Sequence, residues 1–222
     1  MKTVVAATRN KHKIEEIGEI TGRFGMSIIS RDEAGVPPVE IPETGRTFEE
    51  NSYIKAYEIM KLCGQITVAD DSGLVVDCLD GAPGVFSARF GGFEGLWPDD
   101  EGDAKADRPA VDTPDSDNNA KLIRLIKDVP YEKRTARFVS VITMVYPDEK
   151  TLVARGTVEG HLVLEERGDN GFGYDPLFVP EGYDQTFGQL GQDIKNAISH
   201  RARALQVLRE KLLEERPEKD CE

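Results

Sequence analysis

The stretch TVADDSGLVVDC, residues 67–78, decides how the rest of the chain is read. Thr67, Val68 and Ala69 read as the end of an apolar strand, and Leu74, Val75 and Val76 as the start of another. Between them stand two adjacent carboxylates, Asp70 and Asp71, then Ser72 and Gly73. Asp-Asp-Ser-Gly is turn chemistry, so one reading is a turn between strands. Neighbours on extended backbone point to opposite sides, so in a second reading one acid braces the chain while the other faces a cleft. Carboxylates are also the usual ligands of magnesium, which keeps several waters and binds phosphates at the same time.

The 222 residues suffice for one large domain or two small ones with a proper core. With 39% hydrophobic and 31% charged residues, the composition is that of a soluble globular protein. No apolar run approaches the ~18 residues of a membrane helix. The opening MKTVVAATRN lacks a signal-peptide layout, so a cytoplasmic protein is expected. Cys63, Cys78 and Cys221 are odd in number and scattered, which suits reduced thiols. With only His12, His161 and His200 besides, no zinc site has ligand-like spacing. The net charge of −13 repels nucleic acid and anionic membrane, so an anionic substrate would need a local basic island.

Strand and helix patterns interleave without a strict βαβ repeat, which predicts an α/β fold with a mixed sheet. TVVAA (3–7) reads as a buried strand and SIIS as a short one; residues 11–24 have Ile14, Ile17, Ile20 and Phe24 near helical spacing. Residues 47–63 begin with a capping box, Thr47 and Glu50, and carry Ile54, Tyr57 and Met60 on one face. A third helix covers NNAKLIRLIKDV with Leu122, Leu125 and Val129. TARFVSVITMVY (135–146) is apolar on both faces and is predicted to be central, pairing with TLVARGTVEGHLV across PDEK. The last helix, SHRARALQVLREKLL, turns Leu205, Leu208 and Leu212 inward. Residues 93–119 hold nine acids against Lys105 and Arg108, contain prolines, and are predicted to form no regular element. They read as a solvated surface insertion, or as a lid in which Trp97 would take part.

Three further stretches carry chemistry. TRNKHK (8–13) lies between strand and helix, where outward N–H groups favour anions; Thr8 and Asn10 can add hydrogen bonds, and Lys11 and Lys13 charge. It also reads as a capped helix with exposed lysines. GDNGFGYDPLF (168–178) combines glycines that let a backbone approach a ligand with Phe172, a face on which a base could stack. A glycine-rich loop with an aromatic plug is the plainer alternative. In KNAISHRARAL (195–205), Ser199 reads as the N-cap of the last helix. His200 and Arg201 then place positive charge in its first turn, against the helix dipole, and call for a negative partner.

Taken together, TRNKHK, PETGRTFEENSYIKA, ADDSGLVVDCLDGAPGVFSARFGG, NGFGYDPLF and KNAISHRARAL resemble the inosine triphosphate pyrophosphatase family, in the family's order and over nearly the whole chain. The layout is closer to the bacterial-type members; the long acidic connection at 93–119 is the chief departure and overwrites no motif residue. The resemblance implies a single domain over residues 1–217, a curved mixed sheet flanked by helices, and two lobes with the nucleotide in a cleft between them. It implies hydrolysis of deaminated purine nucleoside triphosphates (ITP, dITP, XTP) to the monophosphate and pyrophosphate, with Mg²⁺ as cofactor and a homodimer as the assembly.

Residue by residue, the resemblance makes Thr8, Arg9, Asn10, Lys11, His12 and Lys13 the phosphate-holding motif and Lys55 a further lysine near the phosphates. Asp71 matches the catalytic acid, the general base, and a metal ligand; Ser72 matches a substrate contact. Glu43 matches the other metal ligand, with Glu40 as the alternative. Phe172, Gly173, Tyr174, Asp175, Lys195, His200 and Arg201 match substrate-binding positions. Lys11, Lys13, Lys55 and Lys195 would form the basic island. Donors from His200 or Arg201 would meet the 6-oxo group of hypoxanthine or xanthine, which adenine lacks. Two alternatives stay open: a pyrophosphatase acting on other modified nucleotides, and a non-catalytic nucleotide-binding protein.

Overall fold

The acidic stretch is not a turn. In the computed structural model, which describes residues 2–23, 25–97 and 112–214, strand β3 runs unbroken from Thr67 to Val76 through both aspartates. The two strands expected on either side of a turn are one strand. Asp70 and Asp71 are both buried within it, and buried carboxylates survive in a strand only where ion pairs and hydrogen bonds hold them.

Among the described residues six strands form the sheet, in the order β2-β1-β3-β4-β5-β6. They are β1 (Lys2–Ala6), β2 (Met26–Ser30), β3, β4 (Thr135–Val145), β5 (Thr151–Leu162) and β6 (Phe178–Pro180). β1 pairs in parallel with β2, Val4 opposite Ile28, and with β3, Val5 opposite Thr67. β5 pairs antiparallel with β6, His161 opposite Val179. The sheet is therefore mixed and open-edged, the α/β class expected. Five α-helices complete it among the described residues: α1 (Lys11–Gly22), α2 (Phe48–Cys63), α3 (Asp115–Ile126), α4 (Gln192–Ile198) and α5 (His200–Glu214).

The chain divides into two compact units. One comprises Met1–Asp71, Ser140–Thr157 and Asn196–Glu222; the other comprises Ser72–Val139 and Val158–Lys195. In the first unit, neighbouring residues of β1 and β3 enter different cores. Val4 and Val68 pack with Ile17, Ile20, Leu205 and Leu208 of α1 and α5. Val5 and Ala69 pack with Ala56, Ile59 and Met60 of α2. Strands covered by helices on both faces need apolar residues at successive positions, which is why TVVAA shows no alternation. In the second unit, Phe178 stacks on Phe187 at 5.5 Å and meets Phe138 at 4.7 Å.

The helix starts follow local capping. Thr47 Oγ1 accepts from Glu50 N at 3.1 Å, and Ser199 Oγ accepts from Ala202 N at 3.2 Å. The buried face of α2 differs from the expected one. Asn51, Ser52, Ala56, Ile59 and Met60 point inward, while Ile54 and Tyr57 are half-buried. Two polar residues can lie on that face because Asn51 Oδ1 accepts from Gly45 N at 2.8 Å and the Ser52 hydroxyl lies 2.7 Å from Thr143 Oγ1. The acidic stretch 93–119 is also corrected at its end: α3 begins at Asp115, with Asp115 and Asp117 in a first turn where acids favour the helix dipole. Residues 98–111 of that stretch lie outside the described residues, as do Phe24 and Cys221.

Candidate active site

The loop before α1 is shaped by its own side chains. Asn10 Oδ1 caps the helix by accepting from Lys13 N at 3.2 Å, and Thr8 Oγ1 accepts from Asn10 N at 3.1 Å. Arg9, Lys11 and His12 are exposed at this helix start. Lys13 turns inward, its Nζ 3.1 Å from Asp70 Oδ2.

Asp70 is the hub of a buried network in the first unit. Its Oδ1 accepts from the Ser140 hydroxyl at 2.5 Å, and its Oδ2 accepts from Arg201 Nη2 at 2.9 Å. Arg201 Nη1 also donates to Glu16 Oε2. The negative partner that a cation in the first turn of α5 demands is therefore internal, and Glu16 and Asp70 fix the plane of the guanidinium. Burial alone would raise the Asp70 carboxyl; Arg201, Lys13 and the Ser140 hydroxyl outweigh it and hold it well below the usual carboxylate range. His200, the first residue of α5, is also buried.

Asp71 has different company. Lys55 Nζ donates to its Oδ1 at 2.7 Å, to Glu43 Oε1 at 3.0 Å and to the main-chain oxygen of Asp70 at 3.2 Å. Asp71 Oδ2 is buried and has no hydrogen-bond partner among the described residues. Burial pushes the Asp71 carboxyl above its ordinary value; Glu43 adds to the rise, and Lys55 and Lys13 oppose it. Burial would depress Lys55, but Asp71 and Glu43 drive it upward, so it stays a cation. Two adjacent carboxylates are thus pushed in opposite directions, one an ionised brace at neutral pH and the other the more basic group. That divergence is the pattern of a site that needs both.

Glu43 rather than Glu40 is the acid that Lys55 joins to Asp71; Glu40 is exposed. Among the described residues no group of three or more His, Cys, Asp or Glu side chains is placed to hold a metal ion by itself. A carboxylate pair with an orphaned buried oxygen fits magnesium, which takes its remaining ligands from water and phosphate. It does not fit a closed all-protein metal cage.

The second unit holds the remaining predicted residues. Gly171 has φ of 78° and passes so close to Asp175 that a Cβ there would overlap its carboxylate. Asp175 Oδ2 accepts from Phe172 N at 2.8 Å and from Lys195 Nζ at 2.7 Å. The Lys195 ammonium also lies 4.8 Å from the centre of the half-buried Phe172 ring. Gly173 N donates to Asp115 Oδ2 at 2.7 Å, and the Tyr174 hydroxyl donates to the main-chain oxygen of Ser87 at 2.8 Å. Ser72 opens this unit on β3. A cavity of about 650 Å³ in the same unit, lined by Gly91, Phe93, Lys121 and Arg124 among others, takes in none of the predicted site residues.

Sequence reasoning missed Glu16, Ser140, Asp115 and Ser87. Glu16 alone left a signal, an acid beside Ile17 on the inward face of α1.

The sequence model of the Ham1 family matches residues 4–211. The chain belongs to the Ham1 family. The chain is similar to a dITP/XTP pyrophosphatase from Bacillus anthracis, 42% identical over 96% of this chain and 98% of that protein. Another, from Agrobacterium fabrum and described in the same words, is 42% identical over 96% and 97%. Among solved structures, the Staphylococcus aureus Ham1 protein superposes with a TM-score of 0.77 at 35% identity, covering 97% of this chain and all of that one (100%). The family match over residues 4–211 covers the stretches that hold Asp70, Asp71 and Phe172.

Proposed function

We propose that this chain hydrolyses deaminated purine nucleoside triphosphates (ITP, dITP and XTP) to the nucleoside monophosphate and pyrophosphate. The observation that carries the reading is the orphaned, buried Oδ2 of Asp71 beside a carboxylate held ionised at Asp70. Asp71 orients a water and takes its proton as the water oxygen bonds to the α-phosphorus and the bond to the bridging oxygen breaks. Lys13 and Lys55, with Thr8, Arg9, Asn10, Lys11 and His12 at the helix start, offset the charge of the phosphates. Glu43 and Asp71 would hold Mg²⁺, which when bound supplies Lewis-acid neutralisation of phosphate charge.

Phe172 gives the base an aromatic face, flanked by Gly173 and Tyr174, while Asp175 and Lys195 hold that loop in shape. His200 and Arg201, the latter oriented by Asp70 and Glu16, supply donors to the 6-oxo group. Adenine presents a donor there instead, and leaving buried donors unpaired costs enough for about 10- to 100-fold discrimination. A homodimer in the cytoplasm completes the reading, resting on the family resemblance; among the described residues, no helix is long and apolar enough to cross a membrane. The test is pyrophosphate release from ITP, XTP, dITP, GTP and ATP with Mg²⁺. Release from the first three and little from ATP supports the reading; binding without release overturns it in favour of a nucleotide-binding protein.

A further inference from the structure

We propose that Ser87, which none of the chemistry above uses, is a positioning residue that ties together two substrate-contacting segments, Ser72–Leu74 and Phe172–Asp175. The inference rests on the pyrophosphatase reading and names a residue that sets its substrate affinity. Ser87 is buried in the 3-10 helix Gly84–Gly92. Its hydroxyl accepts from Leu74 N at 2.9 Å and donates to Gly84 O at 2.6 Å. Its main-chain oxygen accepts from the Tyr174 hydroxyl at 2.8 Å. One residue thus serves the strand on one side and the aromatic loop on the other.

The approach is close enough to dictate composition. At Gly73 any Cβ would overlap the Ser87 hydroxyl and the Gly84 carbonyl, so the strand backbone lies directly on the helix. Tyr174 is buried, and a buried phenol needs an acceptor; the Ser87 carbonyl is that acceptor. Removing the Ser87 hydroxyl takes the acceptor from Leu74 N and lets the Ser72 backbone drift. Asp71 keeps its own ion pair with Lys55, so binding should suffer more than turnover.

The experiment compares kcat and KM for ITP in wild type, Ser87→Ala, Tyr174→Phe and the double variant, with Tm and circular dichroism on each. The expected result is a KM raised roughly ten-fold in each single variant, as for loss of one buried hydrogen bond, with kcat within about three-fold. The double variant should be less than multiplicative, because both bonds act on one unit. A merely structural Ser87 would lower Tm and the active fraction, hence kcat, and leave KM unchanged; that outcome overturns the proposal. If Ser87→Ala does not fold, Ser87→Cys, which keeps the side chain's size but is a weak acceptor for Leu74 N, decides by the same KM criterion. Wild type that releases no pyrophosphate from ITP would overturn the pyrophosphatase reading itself, a result distinct from an unchanged KM in an active enzyme.

Discussion

Lys55 Nζ stands 2.7 Å from Asp71 Oδ1, and the same ammonium reaches Glu43 at 3.0 Å. Burial and mutual repulsion disfavour charge on a pair of carboxylates, and a cation held between them offsets that cost. It also fixes one oxygen of Asp71 and leaves the other for chemistry.

Asp71→Asn keeps the shape and loses the base. Turnover of ITP should fall at least ten-fold, about 1.4 kcal/mol or more of barrier, while nucleotide affinity measured by calorimetry stays within a few-fold. Retention of more than a tenth of wild-type kcat would remove Asp71 from the role of base.

The acid pair should also show in pH dependence. Asp71 is raised, so kcat/KM should fall on acidification through a value above the ordinary Asp pKa of about 3.9. Asp70 is depressed, so its contribution to stability is complete above that ordinary value and is lost as pH falls through the lower folded one. Asp70→Asn leaves Arg201 and Lys13 without their shared carboxylate and should cost about 3–5 kcal/mol at pH 7. Urea unfolding of both proteins from pH 7 to pH 3 should show the gap narrowing toward acid; a constant gap would mean that Asp70 is not ionised in the folded state.

Lys13→Ala should weaken triphosphate binding more than monophosphate binding, because its ammonium would serve the outer phosphates. Titration with ITP and IMP measures the difference, and equal losses would place Lys13 away from those phosphates.

Gly156→Ala tests the seat of α5. A Cβ at Gly156 would run into the His200 carbonyl and the Ala204 amide, both backbone, so the helix carrying Arg201 must shift. Overpacking of this kind costs about 1–3 kcal/mol or more, read as a lower Tm. An unchanged Tm would show that the contact is loose.

Features set by a few neighbouring residues were legible in the sequence. The Thr47 and Ser199 caps, the buried β1, the interior position of β4 and the inward Leu205 and Leu208 all follow from short-range patterns. The acid pair was not, because what keeps Asp70 in a strand comes from Lys13, Ser140 and Arg201, which lie 57, 70 and 131 residues away. No local window holds those partners, so adjacent charges read as a turn. The inward face of α2 was misread for the same reason: Ser52 is buried against Thr143, 91 residues distant. Family resemblance suggested candidate roles for the motif residues, but the contacts by which Asp175 and Lys195 brace a loop and Asp70 braces Arg201 are a matter of geometry.

The decisive measurement for Asp71 and for base selection is the steady-state rate of pyrophosphate release from ITP and from ATP, with Mg²⁺, in wild type and Asp71→Asn. The expected result is a kcat/KM for ITP about 10- to 100-fold or more above that for ATP and loss of the ITP reaction in the variant. Equal rates on the two nucleotides, or orthophosphate in place of pyrophosphate, would contradict it.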